Sequence, residues 1–166
     1  SPADGVVEKI VEVTPSEEMG MSAQKAKRVS IFLSVFNVHI QRIPISGKIK
    51  SLYYYQGKFM NANLDKASEE NERQCCLVET KDGQEVGFVQ IAGLVARRII
   101  CYLKNNQEVK VGDEYGLIRF GSRVDIYLPT NAKIKVSEGQ TMIGGETVIA
   151  ELGNAKKPTA LKAPAK

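Results

Sequence analysis

Short runs of alternating apolar and polar residues, separated by turns that contain glycine or asparagine, account for most of this sequence. Alternation with a period of two is typical of β-strands that have one face in a core. The clearest runs lie at residues 5–13, 29–40, 47–55, 74–80 and 85–92. Residues 81–84 (KDGQ) and 104–107 (KNNQ) have the composition of hairpin turns. The sequence therefore predicts a mainly β fold with a few short helices.

Two pairs of segments share a pattern of strand and turn residues. Residues 109–120 and 136–152 each contain two glycine turns followed by an apolar strand. Residues 1–10 and 42–52 each place Pro-x-x-Gly before alternating residues. These patterns resemble the hammerhead-like β-hairpins of biotinyl and lipoyl carriers, although the Met-Lys pair that those carriers need is absent. We therefore expect a β-sandwich built from lipoyl-like, hammerhead-like hairpin repeats.

Two further segments do not follow the strand pattern. Residues 65–74 (DKASEENERQ) are polar and fit a loop or one helical turn. Residues 93–103 (GLVARRIICYL) fit a short helix or a buried strand, and their periodicity does not decide between the two.

Length and charge indicate one neutral domain with a basic tail. The 166 residues suffice for one domain with its own core, which we place at residues 1–152. Residues 153–166 hold four lysines and no acid, and the whole chain has a net charge of +4, so residues 1–152 are formally neutral. The composition of the tail predicts disorder. Without a basic face, the chain is not expected to bind nucleic acid.

The cysteines and the single histidine limit the chemistry. Cys75 and Cys76 are adjacent and Cys101 stands alone, so we expect no disulfide framework, no CxxC metal pair and a reducing, cytosol-facing environment. A single histidine excludes a multi-histidine metal site. The sequence has no apolar run of about 18 residues and no signal-peptide pattern. Because it does not begin with Met, we interpret it as part of a longer chain whose N-terminal segment could hold a membrane anchor.

The pair Gly121-Ser122 interrupts a strand-like run at residues 117–129 (LIRFGSRVDIYLP). A glycine weakens a strand interior, so its presence needs a reason. The simpler interpretation is a bulge or bend. The alternative is that the Gly-Ser peptide bond itself reacts, which requires other groups to activate the serine.

Asp4 and His39 are candidates for those groups. Taken alone, Asp4 precedes a glycine and fits an Asx-type turn, and His39 lies in an apolar strand-like run and fits a structural role. Together with Ser122 they supply an orienting acid, a base and a nucleophile. The serine-hydrolase signature G-x-S-x-G is absent, since Ser122 follows Gly121 directly.

Five blocks of this sequence resemble the phosphatidylserine decarboxylase family in its short form. They are SPADG (1–5), SVFNVHIQRIPISGKI (34–49), DKASEENER (65–73), VQIAGLVARRI (89–99) and FGSRVDIYLP (120–129). The blocks follow the family's order, and the match extends from the first residue to about residue 152.

The resemblance implies an enzyme that cuts its own chain. Ser122 Oγ would attack the Gly121 carbonyl, with His39 as general base and Asp4 orienting the imidazole. Cleavage would give a large subunit, 1–121, and a small subunit, 122–166, which stay associated. Ser122 would become a covalent pyruvoyl group, the only cofactor implied, with no metal.

The resemblance also implies the reaction and its place. The pyruvoyl ketone would condense with the serine amine of phosphatidylserine and withdraw electrons as CO₂ leaves, which yields phosphatidylethanolamine. The enzyme would act at a membrane surface, as a peripheral or anchored protein. Phe36 stands where longer members have a second histidine, a candidate proton donor, so the donor stays open.

Substrate binding and the alternative functions are less constrained. Guanidinium and ammonium groups suit a lipid phosphate, and the candidates are Arg97, Arg98, Lys58 and Arg73. The same groups could instead pair with Glu69, Glu70 and Glu72. The alternative functions are a non-catalytic lipoyl-like carrier or binding module and a pyruvoyl decarboxylase of a soluble amino acid. Exposed sheet edges are compatible with a homodimer.

Overall fold

The computed structural model describes residues 1–34, 36–58, 61–62, 70–94, 98–119 and 121–154. The strands of these residues are β1 (Gly5–Val13), β2 (Ala26–Leu33), β3 (Ile40–Arg42), β4 (Gly47–Tyr55), β5 (Arg73–Glu79), β6 (Glu85–Ile91), β7 (Ile99–Cys101), β8 (Glu108–Val109), β9 (Glu114–Ile118), β10 (Ser122–Pro129), β11 (Lys133–Ile134), β12 (Thr141–Met142) and β13 (Ala150–Glu151). A 3-10 helix spans Glu17–Met19. The prediction of a mainly β fold is confirmed.

The strands form three sheets. The large sheet has the order β12-β1-β2-β10-β6-β5-β4-β8, the second sheet has the order β3-β9-β7, and β11 pairs with β13. Neighbouring strands in all three are antiparallel. No helix of the described residues is long and apolar enough to cross a membrane.

Strand β10 lies in the middle of the large sheet. It pairs with β2 on one side and with β6 on the other. On one face of β10, Val124 packs with Ala3, Leu33 and Ile118 in an apolar cluster. Because both neighbours of β10 come from residues before 122, the strand that begins at Ser122 is held on both edges by the preceding part of the chain.

Most predicted strands agree with the structure. The runs 5–13 and 47–55 match β1 and β4, and the runs at 74–80 and 85–92 match β5 and β6 to within one residue. The predicted hairpin turn at 81–84 is confirmed, since β5 and β6 pair with each other. The prediction of a hairpin at 104–107 is wrong, because the turn there connects β7 and β8, which belong to different sheets. Gly83 N–H donates to the Thr80 carbonyl at 2.9 Å, and Gln107 N–H donates to the Lys104 carbonyl at 3.2 Å.

The prediction of one strand over 29–40 is wrong. Strand β2 ends at Leu33 and β3 begins at Ile40. Between them, the Asn37 side chain accepts hydrogen bonds from Ser34 N–H at 2.7 Å and from Ser34 Oγ at 2.8 Å. This side-chain turn competes with the strand ladder, so His39 lies in a connection rather than in a strand.

The run at 117–129 is also two strands rather than one. Strand β9 ends at Ile118 in the second sheet, and β10 begins at Ser122 in the large sheet. Gly121 joins them with a φ of +71°, a left-handed conformation that strongly favours glycine. The glycine therefore marks a crossing between two sheets, not a bulge within one strand.

The segment at 93–103 contains the short strand β7, while residues 95–97 lie outside the described ranges. Of the segment at 65–74, residues 70–74 are described, and of the tail at 153–166 only residues 153 and 154 are.

The similar segments of the predicted repeat carry similar turns. Gly112 has a φ of +89° and Gly139 a φ of +83°. Gly112 N–H donates to the Ile43 carbonyl at 2.9 Å, and Gly139 N–H donates to the Val7 carbonyl at 2.7 Å. The turn in segment 109–120 thus binds segment 42–52, and the turn in segment 136–152 binds segment 1–10. A sandwich of hammerhead-like hairpins is a wider claim and stays a prediction.

Candidate active site

The backbone of Gly121 is contacted from two sides. Gly121 N–H donates to the Leu33 carbonyl at 2.9 Å, at the end of β2. The Gly121 carbonyl oxygen faces Gly93, since a β-carbon built on Gly93 would lie 1.7 Å from that oxygen. A β-carbon on Gly121 itself would meet no heavy atom within 4 Å. Glycine is therefore required at 121 by its φ angle and at 93 by the close approach of the carbonyl.

The Ser122 side chain is buried and has no hydrogen-bond partner among the described residues. Its exposed fraction is 0%, and Oγ is an unpaired buried atom within the described part of the chain. A buried hydroxyl without a partner costs about 1–3 kcal/mol, so such groups are uncommon in native structures and call for an explanation, of which a catalytic role is one. The arrangement suits a nucleophile next to the carbonyl that it would attack.

His39 lies at the end of the second sheet that approaches Gly121. Its carbonyl accepts hydrogen bonds from Ile118 N–H at 3.2 Å and from Gln41 Nε2 at 2.8 Å. Gln41 Oε1 in turn accepts from Gln90 Nε2 at 2.9 Å, and both glutamines are fully buried. The buried glutamine pair thus fixes the backbone that carries the half-buried imidazole.

Asp4 belongs to an N-terminal segment whose Ala3 packs in the apolar cluster with Leu33, Ile118 and Val124. Its Oδ1 accepts a hydrogen bond from Gly144 N–H at 2.6 Å. The neighbouring Pro2 carbonyl accepts from Arg42 N–H at 2.8 Å, and Ala3 is fully buried. This carboxylate is therefore tied to the turn at Gly144, and its role in orienting His39 stays a prediction.

The three predicted residues come from segments that meet at one place. Ala3 precedes Asp4, Ile118 binds the His39 carbonyl, and Leu33 pairs with Ser122 in the sheet register. Ala3, Ile118 and Leu33 pack together in one cluster. The segments that carry Asp4, His39 and Ser122 therefore meet at one apolar cluster, although they are far apart in sequence, and contact among the three side chains stays a prediction.

The predicted substrate-binding residues have different surroundings. Arg73 is 5% exposed, forms an ion pair with Glu18 at 2.5 Å and stacks on the Tyr55 ring at 3.9 Å. Lys58 is exposed and pairs with Glu70 at 3.0 Å, the kind of pairing that the sequence left open. Arg98 is exposed, and Arg97 lies outside the described residues. Of this set, Arg98 has the surroundings that best suit an external phosphate.

Arg119 was missed by the sequence reasoning. It follows Ile118 at the end of β9 and is exposed. Ile118 is the antiparallel partner of Ile99, so Arg119 and Arg98 lie one step beyond this pair. The signal lies in strand pairing across about twenty residues, which a single sequence does not reveal.

Arg123, directly after Ser122, anchors the start of β10 on the opposite face. Its side chain is 2% exposed, and its Nε lies 3.0 Å from Asp125 Oδ1. It also donates through NH1 to the Ala62 carbonyl at 3.0 Å. Asp125 is fully buried, and its Oδ2 lies 3.9 Å from Arg28 Nε. This charged cluster fixes the start of the strand that begins at Ser122.

Replacing Asp125 with alanine should destabilise the protein by about 3–5 kcal/mol, because it leaves buried guanidinium groups without their counter-ion. The free energy of unfolding, from urea denaturation, measures this effect. Asp82→Ala removes an exposed acid and should cost less than about 0.5 kcal/mol. Equal stability of the two variants would contradict the account of the buried cluster.

The described residues do not suggest a metal site. Within them, no group of three or more His, Cys, Asp or Glu side chains could hold a metal ion. All three cysteines are free. A hydrogen bond with Cys76 lowers the pKa of Cys101 to about 7, whereas burial raises the pKa of Cys75 to about 11. These thiols belong to the region around β5 and β7.

Comparisons with known proteins identify the family. The family model for phosphatidylserine decarboxylase matches residues 1–150. The phosphatidylserine decarboxylase proenzyme of Rickettsia bellii (strain OSU 85-389) is 59% identical over 156 residues, which are 94% of this chain and 68% of that protein. The proenzyme of Rickettsia conorii is 58% identical over 162 residues, which are 98% of this chain and 70% of that protein. This chain belongs to the phosphatidylserine decarboxylase family.

Proposed function

We propose that this protein converts phosphatidylserine to phosphatidylethanolamine and CO₂ after cutting its own chain between Gly121 and Ser122. The buried Ser122 hydroxyl, next to a glycine with a φ of +71° and without a described hydrogen-bond partner, is the observation that carries the proposal. The relatives' name, proenzyme, supports self-processing.

Self-cleavage follows from the chemistry of the two residues. Ser122 Oγ attacks the Gly121 carbonyl and transfers its proton to His39, so that an ester C–O bond forms as the peptide C–N bond breaks. His39 returns the proton to the departing amine. Loss of the Ser122 α-proton then breaks the Cβ–O bond and releases the Gly121 carboxylate. Addition of water and loss of ammonia leave the pyruvoyl group at the start of 122–166.

The two products should stay associated. Strand β10 begins at the cut and pairs with β2 and β6, which both belong to 1–121. Cutting one peptide bond removes none of these strand pairs. Residues 1–152 would therefore remain one catalytic domain after cleavage.

The residues around Ser122 fit a pyruvoyl group. Such a group supplies a ketone that withdraws electrons from the bound substrate as CO₂ leaves. The adjoining chain is fixed by the Leu33 carbonyl, which binds Gly121 N–H at 2.9 Å, and by the ion pair of Arg123. His39 would move the protons, with Asp4 holding the imidazole. Phe36 is 97% exposed and has no acidic proton to donate, so the donor after decarboxylation would be His39, a water or another group.

A lipid substrate implies that the enzyme works at a membrane surface. We infer a peripheral association on the cytosol-facing side, with or without an anchor elsewhere in a longer chain. The free cysteines are consistent with a reducing compartment. A pyruvoyl decarboxylase of a soluble amino acid is the second candidate function.

Phosphatidylserine vesicles and free serine distinguish the two candidates when they are supplied side by side. We expect release of CO₂ from the vesicles and the appearance of phosphatidylethanolamine, because the family acts on the lipid. Release of CO₂ from free serine alone would overturn the lipid assignment. Ser122→Ala supplies the background rate in both assays.

A further inference from the structure

We propose that a surface beside Ser122, named the lipid rim, docks on an anionic phospholipid bilayer. The rim consists of Phe36, Val38, Leu94, Arg98 and Arg119. This inference rests on the proposed function for the identity of the lipid, but its test does not depend on catalysis.

The apolar part of the rim comes from two loops that contact the Gly121 region. Phe36 is 97% exposed, Val38 57% and Leu94 60%. The first loop follows Leu33, whose carbonyl binds Gly121 N–H, and Leu94 follows Gly93, which faces the Gly121 carbonyl oxygen. Grouped exposed apolar side chains mark interaction surfaces. Their position beside the reactive bond suits the hydrocarbon boundary of a membrane.

The cationic part of the rim indicates that the membrane surface is anionic. Arg98 directly precedes β7 and Arg119 directly follows β9, one step beyond the antiparallel pair of Ile99 and Ile118. Neighbouring like charges repel, and within the described ranges neither guanidinium has an ion-pair partner. Two adjacent guanidinium groups bind phosphate and carboxylate oxygens well. The rim thus combines apolar insertion with attraction to anionic headgroups.

Sedimentation with vesicles tests the rim. The assay compares phosphatidylcholine vesicles with and without phosphatidylserine, in a Ser122→Ala background that cannot be cut. Phe36→Ser and Leu94→Ser should each weaken binding by about tenfold, because each removes the free energy gained by inserting one apolar side chain into the membrane. Arg98→Gln and Arg119→Gln should each weaken binding by about fivefold, and only to vesicles that contain phosphatidylserine.

The matched control is Val111→Ser, which removes an apolar side chain that is 63% exposed at the far end of β9. It should bind vesicles as the parent does. If the rim variants also bind as the parent does, the proposal is wrong, and another segment or a second copy covers this face. A chain that binds through the rim but never cuts itself would contradict the proposed function alone.

We further infer, from a separate observation, that Gly93 is a positioning residue for self-cleavage. The Gly121 carbonyl oxygen can occupy its position only because Gly93 has no side chain. An alanine β-carbon at residue 93 would lie 1.7 Å from that oxygen and 2.9 Å from the carbonyl carbon. The Ala62 β-carbon would lie 3.4 Å from the same alanine β-carbon, which leaves that side chain little room to move away. When Ser122 attacks, negative charge develops on this oxygen, so Gly93 determines where the charge lies relative to the nucleophile.

Gly93→Ala should slow cleavage by at least about 100-fold, since the carbonyl must move by roughly 1 Å. Denaturation in hydroxylamine, which cuts esters, should release no more 1–121 fragment than the slowed cleavage itself gives, because the acyl shift is the step that is slowed. The residual cleavage should keep the pH profile of the unchanged chain, since the base is untouched.

Gly47→Ala is the matched control, because its β-carbon would lie 2.3 Å from the Glu79 carbonyl oxygen, between β4 and β5 and away from Gly121. It strains the sheet to a similar degree and should still cut. If Gly93→Ala is folded by circular dichroism and cuts within about threefold of the parent, the inference is overturned, since a misplaced carbonyl would cost far more. An uncut parent chain would instead contradict the proposed function.

Discussion

Ser122→Ala should remain a single chain of 18.3 kDa under conditions in which the parent cuts itself. The substitution removes the oxygen that attacks Gly121 and the precursor of the pyruvoyl group. Decarboxylation should therefore fall to the background rate. Intact mass and a denaturing gel, taken over a time course, measure the result.

The structure predicts that this variant folds normally. Ser122 Oγ is buried and has no hydrogen-bond partner within the described residues, so its removal breaks no such bond and leaves no polar group unpaired. The free energy of unfolding should not fall, and loss of an unpaired buried hydroxyl should raise it by about 1–3 kcal/mol. Loss of cleavage would then report chemistry rather than misfolding.

Ser30→Ala is the matched control. Ser30 is 1% exposed, lies on β2 of the same sheet and also has a buried Oγ that is unpaired among the described residues. Its neighbour in the register is Asp125, not the reactive bond. The control should cut at the parent rate. Cleavage in Ser122→Ala would show that another residue is the nucleophile.

His39→Ala should slow self-cleavage by roughly 100-fold to 10,000-fold, the usual contribution of a general base. A serine hydroxyl is a poor nucleophile while it keeps its proton. The hydrogen bonds from Ile118 and Gln41 go to the His39 carbonyl, so the substitution leaves them intact. The rate is measured by the appearance of fragment 1–121.

Added imidazole separates a chemical role of His39 from a structural one. If the side chain acts as a base, imidazole in solution should restore part of the rate in His39→Ala and none in Ser122→Ala. Maturation of His39→Ala at the parent rate would show that the assignment of the base is wrong. The thermal unfolding midpoint should stay close to that of the parent.

The alternation of apolar and polar residues was enough to predict strands that pack one face inward. The runs 5–13 and 47–55 alternate because one face of each strand packs inward, and both strands have the predicted bounds. The end of β2 was missed because apolar and polar residues keep interchanging up to residue 40, although the apolar positions shift from odd to even numbers after residue 35. At this point a side-chain turn between Ser34 and Asn37 interrupts the ladder. Alternation also continues through Gly121, although the chain changes sheets there.

The parts of the site that were missed depend on contacts between distant residues. Gly93 matters because it meets a carbonyl 28 residues later in the chain. Arg119 became a candidate only when the pairing of Ile118 with Ile99 placed it and Arg98 one step beyond the same pair. Arg73 had seemed a suitable phosphate ligand, but its surroundings are an ion pair with Glu18, 55 residues away, and the Tyr55 ring. Composition alone does not distinguish a buried arginine from an exposed one.

Self-cleavage between Gly121 and Ser122 can be measured by the intact mass of the purified chain after incubation. The mass of 18.3 kDa should be replaced by the masses of two fragments, 1–121 and 122–166. The smaller one should resist N-terminal sequencing, and its mass should correspond to a pyruvoyl group in place of Ser122. A mass that stays at 18.3 kDa, identical to that of Ser122→Ala under every condition tested, would contradict self-cleavage.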